Sequence, residues 1–578
     1  MSMTAEPKHT LLQQRDSFEL ASLVSSSSNG SDDNTISSRG SIDRLSHLDY
    51  EDDEQFRNQQ VSFDSLRRQS YSGSLFDYGD HLFPLAASAD TRDGALPLEK
   101  QKRLGILNGL GLVIGVQIGS GIFSSPSQVD AQAGSPGASL LVWLVAGILA
   151  WTGAASYAEL GTAIPLNGGA QAYLHHIFGP LPAFLFAWTA VTILKPGSMA
   201  IIAIVFAEYI GRLIFSHGAL ATTTESASAQ EDEYSPVWFN KTVAVAGVLL
   251  VTILNAISTK LGTRTGDIFL FLKISSLVAI TVIGLIVLVF HKGAGNFSDG
   301  WFAGSSSSLG SYAIALYAGL WAFDGWDNLN YVAAEMKNPS KDLPLVIHLA
   351  MPIVITCYLT ANLAYYAVLP SLELQKSSTI ALAFGERVFG RVGAIVFTVC
   401  VALSCFGALN AVAFTSARLV YVSGKDGFLP TRFGKVNKKT DTPINALLLQ
   451  AAFTVVFVLV GEFKNLLTFY GVAGYLFYFL TVLGVIVLRA REPDLDRPYK
   501  TFILTPITFC CVALFLISRG VFSAPLEASF VALFVMAGVP IYYWRAGGGL
   551  YKMPVLGRFF RPTIQHNDGT TGYIGAPN

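Results

Sequence analysis

Charged residues are scarce in this chain, because Lys, Arg, Asp and Glu make up only 14% of its 578 residues. Soluble globular proteins carry roughly 25%, so most of the chain is predicted to lie in a medium that disfavours charge. The formal net charge is only −1, which argues against the strongly basic surface of a nucleic-acid-binding protein. The composition therefore favours a membrane protein without a nucleic-acid partner.

Cysteine is also rare. The five cysteines all fall inside apolar stretches rather than in polar loops: Cys357, Cys400, Cys405, Cys510 and Cys511. We therefore expect no extracellular disulfide framework. The sequence has no cluster with metal-ligand spacing, no nucleophile–base pair and no phosphate-binding loop, so we predict no metal site, no cofactor and no enzymatic activity.

We expect no secretory signal peptide at the start of this sequence. Its first hundred residues are instead polar, acidic and rich in serine, as in "LVSSSSNGSDDNTISSRGS". Such a segment buries too little apolar surface to offset the entropy of ordering, so residues 1–100 are predicted to form a disordered cytosolic tail. Within it "RRQS" resembles a basophilic kinase site and makes Ser70 a phosphorylation candidate, although so short a motif often arises by chance. Residues 546–578 are predicted to form a second cytosolic tail.

Residues 101–545 are predicted to form one transmembrane domain. Apolar runs near the roughly 20 residues that cross a bilayer follow one another from Leu104 onward, without the period-two alternation of a β-barrel. We predict an all-α membrane protein of about twelve helices. The predicted spans are 104–125, 137–160, 171–215, 241–257, 267–290, 310–333, 345–369, 381–417, 444–461, 464–488, 501–519 and 524–544.

Basic residues are concentrated in alternate loops. "QKR" precedes the first span, and "TKLGTR", "GKDGFLPTRFGKVNKK" and "RAREPDLDRPYK" follow the fourth, eighth and tenth. By the positive-inside rule these loops and both termini are predicted to be cytosolic. The opposite loops are poor in Lys and Arg, and they contain two N-glycosylation candidates, Asn240 in "NKT" and Asn296 in "NFS".

The first span contains "GVQIGSGIF", with three glycines and a serine where a membrane helix needs a continuous backbone. Each glycine costs a helix roughly 1 kcal/mol relative to alanine, so this segment favours local unwinding. A broken helix in a bilayer is tolerated where its freed backbone groups line a cavity. The freed N–H groups would bind a carboxylate and the freed carbonyls an ammonium, as in a free amino acid. Taken alone, the segment fits close helix packing equally well.

The sixth span repeats this feature. It reads "YAGLWAFDGWDNLNYVAAE", with Gly325 beside the acidic Asp324 at mid-membrane. Transporters with inverted repeats carry a second discontinuous helix at the corresponding position, and with five spans in each repeat the partner of span one is span six. The two segments together favour substrate transport.

Several further motifs complete this pattern: "IGSGIF", "SPG", "GAASYAELGTAIPLNGGAQAYL", "GLWAFDGWDNLNY", "EMKNPSKDLP", "LSCFGALN" and "TSARLVYVSGKDG". Together they resemble the L-type amino-acid transporters, the light chains of heterodimeric amino-acid transporters in the APC superfamily. The resemblance covers about 104–545. It implies a LeuT-type fold, a five-plus-five inverted repeat with two further carboxyl-terminal helices, and secondary transport of amino acids by alternating access.

The resemblance also implies where the substrate binds. Its α-carboxylate and part of its α-amino group are expected on the backbone of four residues: Ile118, Gly119, Ser120 and Gly121. The sixth span is expected to complete the site with five more: Trp321, Ala322, Phe323, Asp324 and Gly325. Trp321 also stands where the family has an aromatic gate, although a tryptophan in a membrane helix more often serves packing or interface anchoring.

Lys273, in "DIFLFLKISSLVAI", lies about two turns into the fifth span. A lysine near the end of a span can extend to water. Its match to the family's span-five lysine implies instead that its ammonium stands where sodium-coupled relatives hold a cation. That role predicts sodium-independent transport and makes Lys273 a coupling residue.

Asp324 leaves the substrate class open. Two branches of the family that this chain resembles differ at this position. The branch for large neutral amino acids has a small residue here, whereas the branch for cystine and dibasic amino acids has an aspartate. An intramembrane carboxylate could pair with a cationic side chain, take up a proton that couples transport, or cap the broken helix. Asp327 offers a similar choice between cap and pocket. We expect a neutral-preferring carrier, an exchanger or a proton-coupled permease, with cationic uptake as an open alternative.

The loop after the third span bears on partners. Metazoan light chains carry a cysteine there that bonds to a glycoprotein heavy chain, but "SHGALATTTESASAQEDEYSPVWFNK" has none. The expected partners are therefore the free amino acid and membrane lipids, without a disulfide-linked heavy chain. Fungal members, including methionine permeases, similarly lack this cysteine and have long polar amino-terminal tails, which favours a plasma-membrane permease of that kind. The alternative is an amino-acid-sensing receptor that signals through its Ser-rich tail.

Overall fold

The computed structural model describes most of the chain after the predicted amino-terminal tail. The described residues are 102, 104–219, 235–257, 259–290, 296–297, 300–377, 379–461, 463–523, 525–545, 563–565 and 571–573. The tail 1–100 with its candidate Ser70, and most of 546–578, lie outside the described residues.

Eight helices make up the first half of the described bundle. They are α1 (Ile106–Gln117), α2 (Gly121–Ala133), α3 (Pro136–Ala163), α4 (Ala170–Phe178), α5 (Pro180–Thr189), α6 (Lys195–Ala219), α7 (Val237–Ile257) and α8 (Thr259–Phe290). A π-helical turn, Ala190–Leu194, joins α5 to α6. Pro196 follows this turn, and a proline inside a helix cannot donate to the carbonyl four residues earlier, which disrupts the regular ladder at that point.

Eight further helices follow. They are α9 (Leu309–Ala322), α10 (Pro339–Val368), α11 (Ser371–Lys376), α12 (Ile380–Lys425), α13 (Ile444–Val460), α14 (Phe463–Arg491), α15 (Leu504–Ser523) and α16 (Pro525–Arg545). Two 3₁₀ segments, Asn328–Glu335 and Thr431–Gly434, lie between them, and α12 is interrupted at Gly390, where φ is 59°. Beyond the helices, the short strands β1 (Thr563–Gln565) and β2 (Thr571–Tyr573) pair antiparallel.

The number of crossings in the described chain agrees with the prediction. Ten candidate membrane spans are long and apolar enough to cross a bilayer when α1–α2 and α5–α6 each count as one, and the shorter apolar helices α9 and α13 bring the number to twelve. Helix α9 is short because it ends at Ala322, in the middle of the predicted sixth span. The prediction of an all-α multi-pass membrane protein is confirmed.

The helix ends lie on two opposite faces of the bundle. We call the face at which α1 begins the Leu104 face, and the opposite one the far face. Leu104 donates to the carbonyl of Glu335 at 3.0 Å, and Glu335 pairs with Arg418 near the end of α12 at 3.2 Å. Arg545 at the end of α16 donates to Gly427, just after α12, at 2.6 Å. Both ends of the helical region therefore lie on the Leu104 face.

A buried carboxylate ties the Leu104 ends of three elements together. Glu159 of α3 accepts from the Nε of Arg489 on α14 at 2.8 Å. It also accepts from the backbone N–H of Thr501, in the segment before α15, at 2.9 Å. Arg497 approaches it to 3.8 Å. Because a buried charge is costly unless paired, this network fixes α3 against the carboxyl-terminal helices.

His175 lies in α4, a short helix at the Leu104 face. The third span of the structure is Pro180–Phe215, so the predicted start at 171 is too early and α4 lies outside the membrane spans. Its side chain is only 8% exposed. Burial, with a smaller contribution from the neighbouring His176, lowers the pKa of His175 to about 4. An unperturbed histidine has a pKa of about 6.5, so the unfolded chain binds this proton more readily than the folded protein. The stability from keeping His175 neutral is therefore present above pH 6.5 and is lost as the pH falls toward 4.

We expect the purified protein to lose thermal stability between pH 7 and pH 5, and His175→Gln to lose less. The difference should be a few degrees in the unfolding midpoint, measured by tryptophan fluorescence in detergent. Between pH 7 and pH 8, where both forms are neutral at this position, the two proteins should change alike. Equal losses between pH 7 and pH 5 would contradict the assignment.

Candidate functional site

The first break, residues 118–120, separates α1 from α2. Helix α1 ends at Gln117, and Ile118 leaves helical geometry with a ψ of 69°. Helix α2 then begins at Gly121. Ser120, between the two, is 2% exposed. The structure therefore contains the predicted interruption, and it lies inside the protein.

The glycines of the first break allow both local unwinding and close helix packing. A Cβ added at Gly119 would lie 2.8 Å from the carbonyl oxygen of Val116 and 2.9 Å from the Cβ of Ala408. One added at Gly121 would lie 2.8 Å from the Cβ of Ala322, the last residue of α9. The glycines thus permit unwinding and also let the two broken helices touch.

Helix α2 starts without a side-chain cap. Ser120 is its N-cap residue and makes no capping hydrogen bond. The first N–H groups of a helix have no acceptor within that helix, and they carry the positive end of its dipole. The N–H of Phe123 already donates to the carbonyl of Ser120 at 3.2 Å, so the N–H groups of Gly121 and Ile122 are the ones suited to receive a carboxylate.

The carbonyl groups of the first break are contacted by side chains from distant helices. Tyr358 of α10 donates to the carbonyl of Gln117, and Ser404 of α12 donates to that of Ile118 at 3.0 Å. The sequence predicts that the freed carbonyls of this break bind the ammonium of a ligand. A carbonyl oxygen has two lone pairs, so each can still accept from a bound ammonium.

Lys273 is fully buried, so its ammonium does not extend to water as the snorkelling alternative requires. It donates instead to the carbonyl of Gly115, one turn before the first break. Its stem packs against α12, because a Cβ added at Gly407 would lie 3.1 Å from the Cε of Lys273. A buried ammonium therefore stands beside the broken helix.

The second break, residues 323–327, separates α9 from the 3₁₀ segment Asn328–Glu335. Gly325 has a φ of 105°, in the left-handed region that only glycine adopts readily. A Cβ there would also lie 2.7 Å from the Cβ of Val116 in α1. The predicted interruption in span six is present, and it packs directly against the first.

Shared hydrogen bonds hold the two breaks together. Tyr358, which contacts Gln117, also donates to the carbonyl of Ala322 at 2.9 Å. The side-chain amide of Gln117 donates to the carbonyl of Phe323 at 2.9 Å. Behind them the Phe323 ring packs against Tyr358 and Trp143, at centroid distances of 4.8 and 6.1 Å. One set of side chains thus positions both breaks.

Trp321 directly precedes Ala322 at the end of α9 and packs against α14. Its ring lies edge-on to that of Tyr470, with centroids 5.1 Å apart, and is 9% exposed. Its indole N–H is buried and has no acceptor among the described residues. Buried donors without a partner are rare, so this group is available to a ligand. The gating role itself stays a prediction.

The two carboxylates of the second break bind side chains. Asp324 accepts from the hydroxyls of Tyr470 at 2.6 Å and Tyr478 at 3.1 Å, both on α14. Asp327 occupies the N-cap position of the 3₁₀ segment, but its side chain makes no capping bond. It accepts from the Tyr331 hydroxyl at 3.0 Å instead. The capping alternative for Asp327 is therefore wrong.

Further contacts hold the segment after the second break to its neighbours near the Leu104 face. Arg418 and Glu335 form an ion pair with side chains only 1% and 3% exposed. The backbone N–H of Ala334 donates to the side chain of Asn167 at 3.0 Å. Breaking such a buried pair costs a protein several kcal/mol, so the segment after the second break is held firmly against α12.

Comparisons with known proteins show the family to which this chain belongs. Residues 104–547 match the family described as amino acid permease. The chain is 36% identical over 467 residues to b(0,+)-type amino acid transporter 1 of Mus musculus, which covers 81% of this chain and 92% of that protein. It is 34% identical to the cystine/glutamate transporter of Homo sapiens, with 78% and 86% covered. It is also 34% identical to large neutral amino acids transporter small subunit 2 of Mus musculus, with 79% and 84% covered.

These relatives are named as transporters, and the resemblance to the L-type amino-acid transporters is confirmed. The expectation of a transporter rather than an enzyme is confirmed as well. The chain belongs to the amino acid permease family of the APC superfamily.

Proposed function

We propose that this permease carries free amino acids by alternating access, with the substrate bound between the two breaks. One observation carries the proposal: an uncapped helix start at Gly121 lies against the end of another broken helix at Ala322. The N–H groups of the first suit a carboxylate, and the nearby carbonyls suit an ammonium. A free amino acid offers both charges on a single carbon.

We further propose that transport does not need sodium. The buried ammonium of Lys273 already supplies a positive charge beside the first break, on the carbonyl of Gly115. A sodium ion bound at that same carbonyl would lie directly beside this ammonium and would be repelled. Exchange of internal for external substrate, or coupling to protons, would then drive uptake.

The proposed location is the plasma membrane, with the Leu104 face in the cytosol. The basic segments after α12 and α14 lie on that face. Asn240, at the start of α7, and Asn296, after α8, lie at the far face. The Asn296 amide donates to the carbonyls of Tyr366 and Leu369 at 2.8 and 2.6 Å, which a glycan on that nitrogen would disturb. Asn240 is therefore the glycosylation site that we favour.

Two other expectations concern signalling and partners. The receptor alternative finds no support in the relatives, which are named as transporters. Most of the loop that would carry a heavy-chain cysteine, 220–234, lies outside the described residues. Function without a disulfide-linked heavy chain therefore stays a prediction from the sequence.

Uptake by the purified full-length protein in proteoliposomes tests the proposal. Labelled neutral amino acids should accumulate equally well when sodium is replaced by choline. Preloading with unlabelled substrate should accelerate an exchanger, whereas a pH gradient should accelerate a proton-coupled permease. Failure to take up any free amino acid, from a panel of neutral, cationic and acidic ones, would contradict the proposed function.

Asp324→Ser tests which substrates the second break accepts. If the carboxylate pairs with a cationic side chain, uptake of lysine and arginine should fall at least about tenfold, because roughly 1.4 kcal/mol of interaction gives that factor. Neutral uptake should change less than about threefold. If Asp324 is a proton site instead, the pH dependence should flatten for all substrates alike.

Asp342→Ser is the matched control for this experiment. Asp342 is also largely buried, but it lies in the first turn of α10 at the Leu104 face, where it accepts from the backbone of Asn338 at 3.2 Å. We expect unchanged selectivity in that variant. An Asp324→Ser protein with the selectivity and pH profile of the wild type would remove the assigned role.

A further inference from the structure

We infer that Lys195 and Asp327 form an internal charge pair, which leaves Asp324 as the uncompensated charge among the described residues of the second break. This pair then determines the charge of the side chains that the carrier accepts: neutral and cationic ones, but not acidic ones. The inference rests on the proposed function and specifies its substrate class.

The position of Lys195 follows from the π-helical turn that precedes α6. Gln450 of α13 donates to the carbonyl of Val191 in that turn at 3.1 Å. The Lys195 side chain is only 7% exposed, and its ammonium lies 4.2 Å from the centre of the Tyr331 ring. Because π-turns inside helices frequently occur at functional sites, a buried lysine at the end of one is a candidate for a role beyond packing.

Asp327 is the acidic partner of this lysine. The Lys195 ammonium lies 3.8 Å from its Oδ2, and the Asp327 side chain is only 2% exposed. The Tyr331 hydroxyl donates to the same oxygen at 3.0 Å, and the Asn328 amide lies 3.4 Å from the other. A buried ion is tolerated when it is paired and hydrogen-bonded. Lys195 and Asp327 therefore cancel one another in charge.

Asp324 lies three residues before Asp327, and none of the ion pairs among the described residues includes it. Its two hydrogen bonds come from Tyr470 and Tyr478, which are neutral donors. Lys195 is close enough to interact electrostatically with Asp324 as well. One positive and two negative charges share the cluster, so it carries one negative charge in excess.

The excess charge decides which side chains are favourable. A cationic side chain beside Asp324 would neutralise the cluster, and a neutral one would leave the tyrosine hydrogen bonds unchanged. An acidic side chain would place a third negative charge in a medium of low dielectric constant, where repulsion is strong. If Asp327 were neutral, Lys195 would be free to pair with Asp324, and the excess charge would disappear.

The test compares initial rates of lysine and leucine uptake in proteoliposomes for the full-length wild type and three variants. In Asp327→Asn the lysine-to-leucine ratio should fall at least about tenfold, because Lys195 then compensates Asp324. In Lys195→Gln the ratio should rise at least about threefold, since both carboxylates are left. The double variant should return to within about threefold of the wild type, because Asp324 alone again supplies one negative charge.

Leucine uptake reports whether each variant is folded, and either single variant can overturn the inference alone. An unchanged ratio in Asp327→Asn, a lower ratio in Lys195→Gln, or no recovery in an active double variant would do so. Asp130→Asn is the matched control: Asp130 is fully buried, and its contacts, including the hydroxyl of Tyr366 at 2.8 Å, are neutral donors. Its ratio should not change.

The wild type separates the two claims. Uptake of leucine without lysine, or of glutamate as fast as leucine, would overturn the charge-pair inference and leave the proposed function intact. Uptake of none of the three, nor of any other free amino acid, would instead contradict the proposed function.

Discussion

Replacing Gly121 with valine is expected to reduce amino-acid uptake at least about a hundredfold without preventing membrane insertion. The valine Cβ would lie 2.8 Å from the Cβ of Ala322 and closer still to its backbone, which cannot rotate away. Overpacking of this kind costs about 1–3 kcal/mol, and a displacement of about 1 Å at a binding site can cost a hundredfold in rate. A β-branched residue is also poorly suited to the start of α2.

The measurement is uptake per protein molecule at the cell surface. Gly121→Ala is measured as well, because alanine adds less bulk than valine. Alanine should already impair uptake, since the crowding begins at the Cβ. Gly310→Ala is the matched control in the facing helix α9, because a Cβ there meets its nearest atom, Ser308 Oγ, only at 3.4 Å. Normal uptake by a surface-expressed Gly121→Val protein would remove the basis for the first break as the substrate site.

The membrane crossings and both breaks could be predicted from the sequence because their causes are local. An apolar run of sufficient length indicates a membrane crossing, whichever helices it packs against. Glycines in the middle of such a run indicate where the helix is least stable, as at Gly119 and Gly325. The short α9 illustrates the limit of this reasoning, because its end at Ala322 appears in the sequence only as an approximate position within a longer apolar run.

The partners of these breaks could not be predicted, because they come from helices far away along the chain. Tyr358 is 241 residues from Gln117, whose carbonyl it contacts, and Tyr478 is 154 residues from Asp324. Each tyrosine lies in an apolar helix whose sequence does not indicate which neighbour it faces. Of these residues only Gln117 carried a usable signal, a polar amide directly beside the glycines.

The pair of Lys195 and Asp327 could not be predicted from the sequence for a related reason. A lysine in "ILKPGS" is unusual in an apolar run, and an intramembrane charge is by default a functional hypothesis. The sequence does not reveal its partner, however, since Lys195 and Asp327 belong to different spans. The capping alternative for Asp327 likewise depended on a local rule that the packing of Tyr331 and Lys195 overrides.

Lys273→Met is expected to reduce uptake by roughly thirtyfold, and the wild type is expected to transport equally well in sodium and in choline. Methionine keeps an apolar stem of similar size against Gly407 but removes the ammonium that contacts the carbonyl of Gly115. A hydrogen bond from a charged group contributes about 1.5–3 kcal/mol, and its loss leaves the first break without its support from α8. Lys241→Met is the matched control, because Lys241 also donates to a backbone carbonyl, that of Leu459 at 2.6 Å, but at the exposed far face. That variant should stay within about threefold of the wild type. A strict sodium requirement in the wild type, or full activity in a folded Lys273→Met protein, would show that this ammonium does not take the place of a bound cation.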